Sequence, residues 1–324
     1  MSSRPPEPTP EVPLRVGVLG AGRTRQGLGP YLAAACEAAG GVVTAVAGRQ
    51  RASAERAAAE LAAKLGHAVA AVDDAEALAR AVDLLVVAAP VPGHLAGLEA
   101  ALAAGVPCLC EKPLVAADDA EAGLARVAAF AQRGLPLFEN CQWPFVLPAL
   151  FTLYPQLVGR PVRRVVMGLS PAWPGRTMVE DSLSHLLSVV QALVPLPADA
   201  MPRDVRQSDG RAEAMANDVT FTLAGTAGPV EVALHLQVCA TQPRPAWLAV
   251  DGCRIDRQLG PDYAIAFAAG DGRVVPVRDP LYQLVEHCVA AVRTPVASTL
   301  AASAAAIGLR LRLYAEVLGR LARP

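Results

Sequence analysis

Two short stretches hold side chains with which this chain could do chemistry. In GVPCLCEKPLV (residues 105–115) an apolar run from Val106 to Cys110 delivers Glu111 and Lys112 and stops at Pro113. A strand buried on both faces reads as such a run and cannot contain proline, so the charged pair falls where the strand leaves its sheet. In VEDSLSHLLSVVQALV (179–194), Asp181 and His185 are four residues apart, which on a helix puts them on one face. Chemistry at a hydroxyl or carbonyl carbon needs a group to take or give the hydroxyl proton and a cation beside the developing alkoxide. On that reading His185, titrating near neutrality, is the acid/base. Lys112 polarises the substrate oxygen and shares the proton transfer, and Asp181 orients the imidazole or binds a substrate hydroxyl. Singly, a histidine on an apolar helix face reads as a core residue and a strand-end lysine as a snorkelling one; together they point to a site.

The elements that must position these groups fall into two halves. Up to about residue 140 the sequence alternates short apolar or β-branched runs, LRVGVLG (14–20), VVTAVAG (42–48), DLLVVAAP (83–90), VPCLC (106–110) and PLFEN (136–140), with alanine-rich stretches of helical period. That order predicts a doubly wound parallel sheet, the Rossmann arrangement, whose strands bind ligands at their carboxyl ends. From about residue 146 it becomes a helix, a strand at 162–170, a helix around 179–193, then strands with long alternation. In PVEVALHLQV, Val230, Val232, Leu234, Leu236 and Val238 share one face, which suits a mainly antiparallel sheet covered on one side. A helical pair closes the chain. The expected fold is thus α/β followed by α+β, with a proline-rich flexible tail at 1–13, a dinucleotide-binding domain at 14–139 and a substrate and oligomerisation domain at 140–324.

The first strand runs into Gly20-Ala21-Gly22, and Pro30 suits the first turn of the next helix. Glycines there let the backbone approach a pyrophosphate, which the helix N-terminus stabilises. The third glycine of a GxGxxG would fall at Arg25, and glycines resume only at Gly27 and Gly29; Arg23 and Arg25, in a lengthened loop, are candidates for holding phosphate. After the second strand an NAD site needs a carboxylate for the ribose hydroxyls, whereas this chain has Ala47-Gly48-Arg49-Gln50-Arg51. Arg49 and Arg51 would pair with a 2′-phosphate, so NADP is expected ahead of NAD, the alternative being two solvated helix-start charges.

The stretch VVAAPVPGHLAGLEAALAAGVPCLCEKPLV (86–115) has a strand ending at Pro90, His94 four residues on, a helix, and then Glu111-Lys112-Pro113. In this order and spacing it resembles the glucose–fructose oxidoreductase, inositol dehydrogenase and MocA family, and the resemblance extends from residue 14 to the end. It implies an open-faced second sheet, an NAD(P)-dependent dehydrogenase acting on a sugar, polyol or related small molecule, and a homodimer or homotetramer. It also implies cofactor contacts at Pro90, His94, Glu111 and Lys112, although His94 reads equally as a helix cap. Asp181 and His185 match a family motif that faces nicotinamide and substrate, beside the candidate substrate contacts Asn140 and Trp143. The departures are Leu183 for a glycine, Ser188 for a final aspartate, and Gln142-Trp143 where the family has an arginine.

Composition sets the bounds. The 324 residues carry 29 basic and 30 acidic side chains, which leaves no electrostatic footprint for nucleic acid or an anionic membrane. No apolar run reaches membrane-spanning length, and the opening MSSRPPEPTPEVP, with five prolines, lacks the apolar core of a signal peptide, so a cytoplasmic protein is expected. Seven scattered cysteines without paired spacing read as reduced thiols and not as a metal site. Two other functions fit the same scaffold, a non-catalytic dinucleotide-binding sensor and a reductase of an imine or tetrapyrrole.

Overall fold

The computed structural model describes residues 12–22 and 27–321. The first half forms a six-stranded parallel sheet in the order β3-β2-β1-β4-β5-β6. Its strands are β1 (Leu14–Leu19), β2 (Gly41–Ala47), β3 (Ala70–Ala71), β4 (Leu84–Val87), β5 (Cys108–Cys110) and β6 (Leu137–Glu139). Between them run α1 (Gly29–Ala38), α2 (Arg51–Leu65), α3 (Ala75–Arg80), α4 (His94–Ala104) and α5 (Ala120–Gln132). The apolar runs are strands because the sheet is covered on both faces. In β4, Leu84 and Val86 enter one core with Leu32 and Leu61, while Leu85 and Val87 enter the other with Leu98 and Phe130.

In the second half, after α6 (Leu147–Leu153), come β7 (Arg164–Leu169) and the long α7 (Arg176–Leu193). Then follow β8 (Arg203–Gln207), β9 (Ala216–Gly225), β10 (Gly228–Gln237), β11 (Ala246–Val250), β12 (Cys253–Leu259), β13 (Ile265–Ala269) and β14 (Val274–Val277). They form an eight-stranded sheet, β14-β13-β12-β11-β7-β10-β9-β8, antiparallel except where β10 runs parallel to β7. The expected alternation holds in β10: Val230, Val232, Leu234 and Leu236 are buried, whereas Glu231 and Gln237 are exposed. α7 packs on this buried face.

The closing helices return to the first sheet. α8 (Pro280–Arg293) packs on α1 through Leu281, Leu284, Val285 and Cys288, and α9 (Ala297–Arg320) lies against α5, β6 and α7. A division at residue 139/140 therefore separates the two sheets but not the helices that cover them. The two-residue β3 is too short to leave a periodic signal and is absent from the sequence reading. No helix among the described residues is long and apolar enough to cross a membrane. The tail expected at 1–13 lies outside the described residues except for Val12 and Pro13.

Candidate active site

The carboxyl edge of the first sheet is built for close backbone approach. Gly20, just after β1, has φ +90°, and a Cβ there would stand 2.5 Å from the Ala89 nitrogen in the turn after β4. Only glycine fits. A Cβ on Gly29, at the start of α1, would stand 2.5 Å from the Gly20 carbonyl oxygen and 2.7 Å from Ala21 Cα. Gly29 thus does the close-packing work of a third glycine four positions later than the fingerprint places it, a role that the length of the loop concealed in the sequence. Gly22 is half-buried in the same turn, Pro30 stands in the first turn of α1 as expected, and no side chain caps that helix's N-terminus. Arg23 and Arg25 lie outside the described residues.

At the end of β2, Arg49 is exposed, with no hydrogen bond or ion pair among the described residues, while Arg51 is engaged by Glu55 at 2.8 Å and Asp73 at 2.6 Å. Pro90 is exposed where the chain leaves β4. His94, at the start of α4, makes no side-chain cap. It is buried between two loops, with Nδ1 at 2.9 Å from the Pro113 carbonyl and Nε2 at 2.8 Å from the Ala89 carbonyl. A neutral imidazole donates to only one of the two, and burial holds its pKa below the usual histidine range in spite of both carbonyls.

β5 leads into Glu111, Lys112 and Pro113 as the apolar run requires. The Lys112 side chain is only 11% exposed and crosses to α7, where Nζ donates to the Asp181 carbonyl at 2.7 Å and to its carboxylate Oδ1. Burial alone would lower the Lys112 pKa, but Asp181 and Glu111 overcome it and raise the value above that of an ordinary lysine. Burial likewise works against the Asp181 carboxylate, and Lys112 outweighs it, holding the group below the usual range. Lys112 is therefore a charged ammonium at neutral pH.

His185 follows one turn along α7. Burial first, then the Lys112 charge, push its pKa down to about 3, which corrects the expectation of a histidine titrating near neutrality. Nor does Asp181 orient the ring, since its carboxylate faces Lys112 and the His185 Nδ1 is buried without a hydrogen-bond partner. This imidazole is neutral at physiological pH.

Two expected substrate contacts sit elsewhere. Asn140, 1% exposed, donates its amide to Glu111, and Trp143, 6% exposed, packs edge-on against Phe267 at 6.1 Å in the core. Residues given no site role in the sequence, Trp173, Arg176 and Tyr314, line a space beside Asp181 instead. A space of about 350 Å³ opens between the loops after β4 and β5 and the start of α7, and Trp173, Arg176, Asp181 and Tyr314 are among its walls. Trp173 and Arg176 belong to a loop and a helix start whose direction only the folded chain reveals. No group of three or more His, Cys, Asp or Glu among the described residues could hold a metal ion.

Glu111 sets a pH dependence. Burial raises its pKa from 4.5 to about 7, against the pull of Lys112 and Asn140, so the folded chain binds a proton that the unfolded chain releases. Stability from this group is fully present below pH 4.5 and is lost as pH rises through about 7. Glu111→Gln should flatten that decline, by about 1–3 kcal/mol between pH 4.5 and 7.5 in urea denaturation; an unchanged pH profile would contradict the assignment.

The comparisons agree with this geometry. A family profile described as an oxidoreductase family with an NAD-binding Rossmann fold, GFO_IDH_MocA, matches residues 14–141. A search of curated proteins returned no match. Among solved structures the chain is similar to a UDP-N-acetylglucosamine 3-dehydrogenase from Acidithiobacillus ferrooxidans, at 23% identity and TM-score 0.64, covering 95% of this chain and 99% of that one. It is also similar to a 3-ketoreductase variant from Actinomadura kijaniata in complex with TDP-benzene and NADP, at 20% identity and TM-score 0.66 over 96% and 97% of the two chains. An oxidoreductase from Agrobacterium radiobacter in complex with NAD+, L-tartaric acid and magnesium matches at 16% identity and TM-score 0.61 over 96% and 98%. At these identities the likeness establishes the fold. The profile covers the whole first sheet and the solved structures extend the likeness over both sheets, so the comparisons show a two-domain fold whose Rossmann half matches the GFO_IDH_MocA oxidoreductase profile.

Proposed function

We propose that the protein is an NADP(H)-dependent oxidoreductase that moves a hydride between nicotinamide and a hydroxyl or carbonyl carbon of a small sugar- or polyol-like molecule. One observation carries the reading: a nearly buried ammonium, Lys112, stands at the carboxyl edge of the Rossmann sheet, tied to Asp181 and one helical turn from a neutral imidazole, His185. The dinucleotide, when bound, supplies the carbon that gives or takes hydride. Lys112 has three N–H donors and directs two at Asp181, so the third is free for a substrate oxygen, where the positive charge stabilises a developing alkoxide. His185 takes the hydroxyl proton in the oxidative direction, and Asp181 fixes the ammonium. The names of two similar structures, a UDP-N-acetylglucosamine 3-dehydrogenase and a 3-ketoreductase, support a sugar-like substrate. Lys112→Ala and His185→Ala should each lower turnover by about a hundredfold or more while leaving NADPH binding nearly intact. Near wild-type turnover in both would place the chemistry elsewhere, and normal cofactor binding with no substrate found would favour a sensor.

Arg49 carries the preference for NADP, because it stands unpaired at the end of β2 where an NAD site needs an acid, while Arg51 is already engaged. Calorimetric titration should show tighter binding of NADPH than of NADH, and Arg49→Asp should narrow the gap by about 1–3 kcal/mol; equal affinities in the wild type would contradict the assignment.

The second sheet's helix-free face supports self-association into a homodimer or homotetramer. Val166, Ala233 and Ala249 cluster there with Trp247, which stacks on His235 and lies under Arg254 at 4.1 Å. An aromatic centre inside a charged rim is what interfaces carry. Light scattering at micromolar protein should give at least twice the 33.6 kDa chain mass; a monomer would refute it.

A further inference from the structure

α9 carries an arginine for which the cleft chemistry has no use. Arg310 is 8% exposed, and its guanidinium reaches two separate elements. Its Nε donates to Glu139 Oε2 at 2.5 Å, while Glu139 Oε1 accepts the Leu114 N–H at 3.0 Å. Its Nη1 donates to Gln191 Oε1 at 2.8 Å, and Gln191 donates its amide to the Ala306 carbonyl of α9 at 2.9 Å. Leu114 is two residues beyond Lys112 in the loop leaving β5. Gln191 lies on α7, six residues or about 9 Å beyond His185. One rigid, planar fork thus holds both walls of the cleft. Burying a guanidinium with a carboxylate is unfavourable unless further hydrogen bonds compensate, and apolar side chains would fill the same volume more simply, so the gain here is orientation.

We propose that Arg310 is a positioning residue that, through Glu139 and Gln191, sets the Lys112 loop against the helix bearing Asp181 and His185. Its part in catalysis rests on the oxidoreductase reading; its effect on Lys112 does not. The sequence contains two lysines, Lys112 in the cleft and Lys64 exposed on α2, so lysine-selective carbon-13 and nitrogen-15 labelling gives one reporter and one internal control. In Arg310→Met the Lys112 resonance should move toward that of Lys64 and its titration midpoint should fall by about one pH unit or more, the size of a lost opposite charge, with Lys64 unmoved. Gln191→Met, which cuts only the α7 arm, should move it the same way by less. Arg310→Lys, which keeps the charge without the fork and adds a third lysine signal identified by its absence from the wild type, should not restore the Lys112 resonance. Should Arg310→Met fail to fold, the double variant Glu139→Gln/Arg310→Met leaves no lone buried charge and carries the same expectation. A wild-type Lys112 resonance and midpoint in a folded Arg310→Met or in the double variant overturns the proposal. Displacement of Lys112 as expected in a protein without turnover on any hydroxyl or carbonyl compound leaves the positioning intact and removes the oxidoreductase reading.

Discussion

A charge withdrawn from water must be paired, and Lys112 is the charge on which this structure turns. Its ammonium leaves the last turn of the first sheet's carboxyl edge nearly buried and finds its partner on α7, a helix that packs on the second sheet. That one contact makes a cleft out of two sheets. It also sets the local electrostatics: the ammonium stays protonated because Asp181 and Glu111 face it, and its charge then helps keep His185 neutral. Asp181 remains half exposed, so the pair is accessible from the cleft rather than sealed in the core.

The sequence chemistry of that cleft was legible in part, for identifiable reasons. Proline cannot continue a buried strand, so the place of Glu111 and Lys112 at the end of β5 followed from residue types alone, and a spacing of four on an apolar-periodic stretch put Asp181 and His185 on one helical face. What the residues would do there depended on burial. A histidine of ordinary titration became one held at about 3, and an aspartate expected to orient it faces a lysine instead. Trp143 and Asn140, polar or aromatic residues at the start of the second half, read as pocket walls and turned out to be interior: one packs on Phe267 and the other serves Glu111.

Long-range returns of the chain were the other illegible part. Nothing in the composition of α8 or α9 says that they cross back to cover the first sheet, and so the Arg310–Glu139 pair, 171 residues apart in sequence, had no local signature. Gly29 was seen in the sequence but its close-packing role was not, for a related reason. A fingerprint read by fixed spacing fails when its loop is longer, although the requirement for a residue without Cβ, close to the Gly20 carbonyl, is unchanged. The strands of the first sheet, by contrast, were visible because burial on both faces is written into every residue of β4, and of these only the two-residue β3 was too short to register.

The central claim is that Lys112 stands where nicotinamide and substrate meet, and the two-lysine composition makes it directly measurable. Titrating lysine-labelled protein with NADPH should shift the Lys112 resonance along a saturable curve while Lys64, on the outer end of α2, stays in place. If saturating NADPH leaves both lysines unmoved, Lys112 is not at the cofactor's edge and the account of the cleft fails.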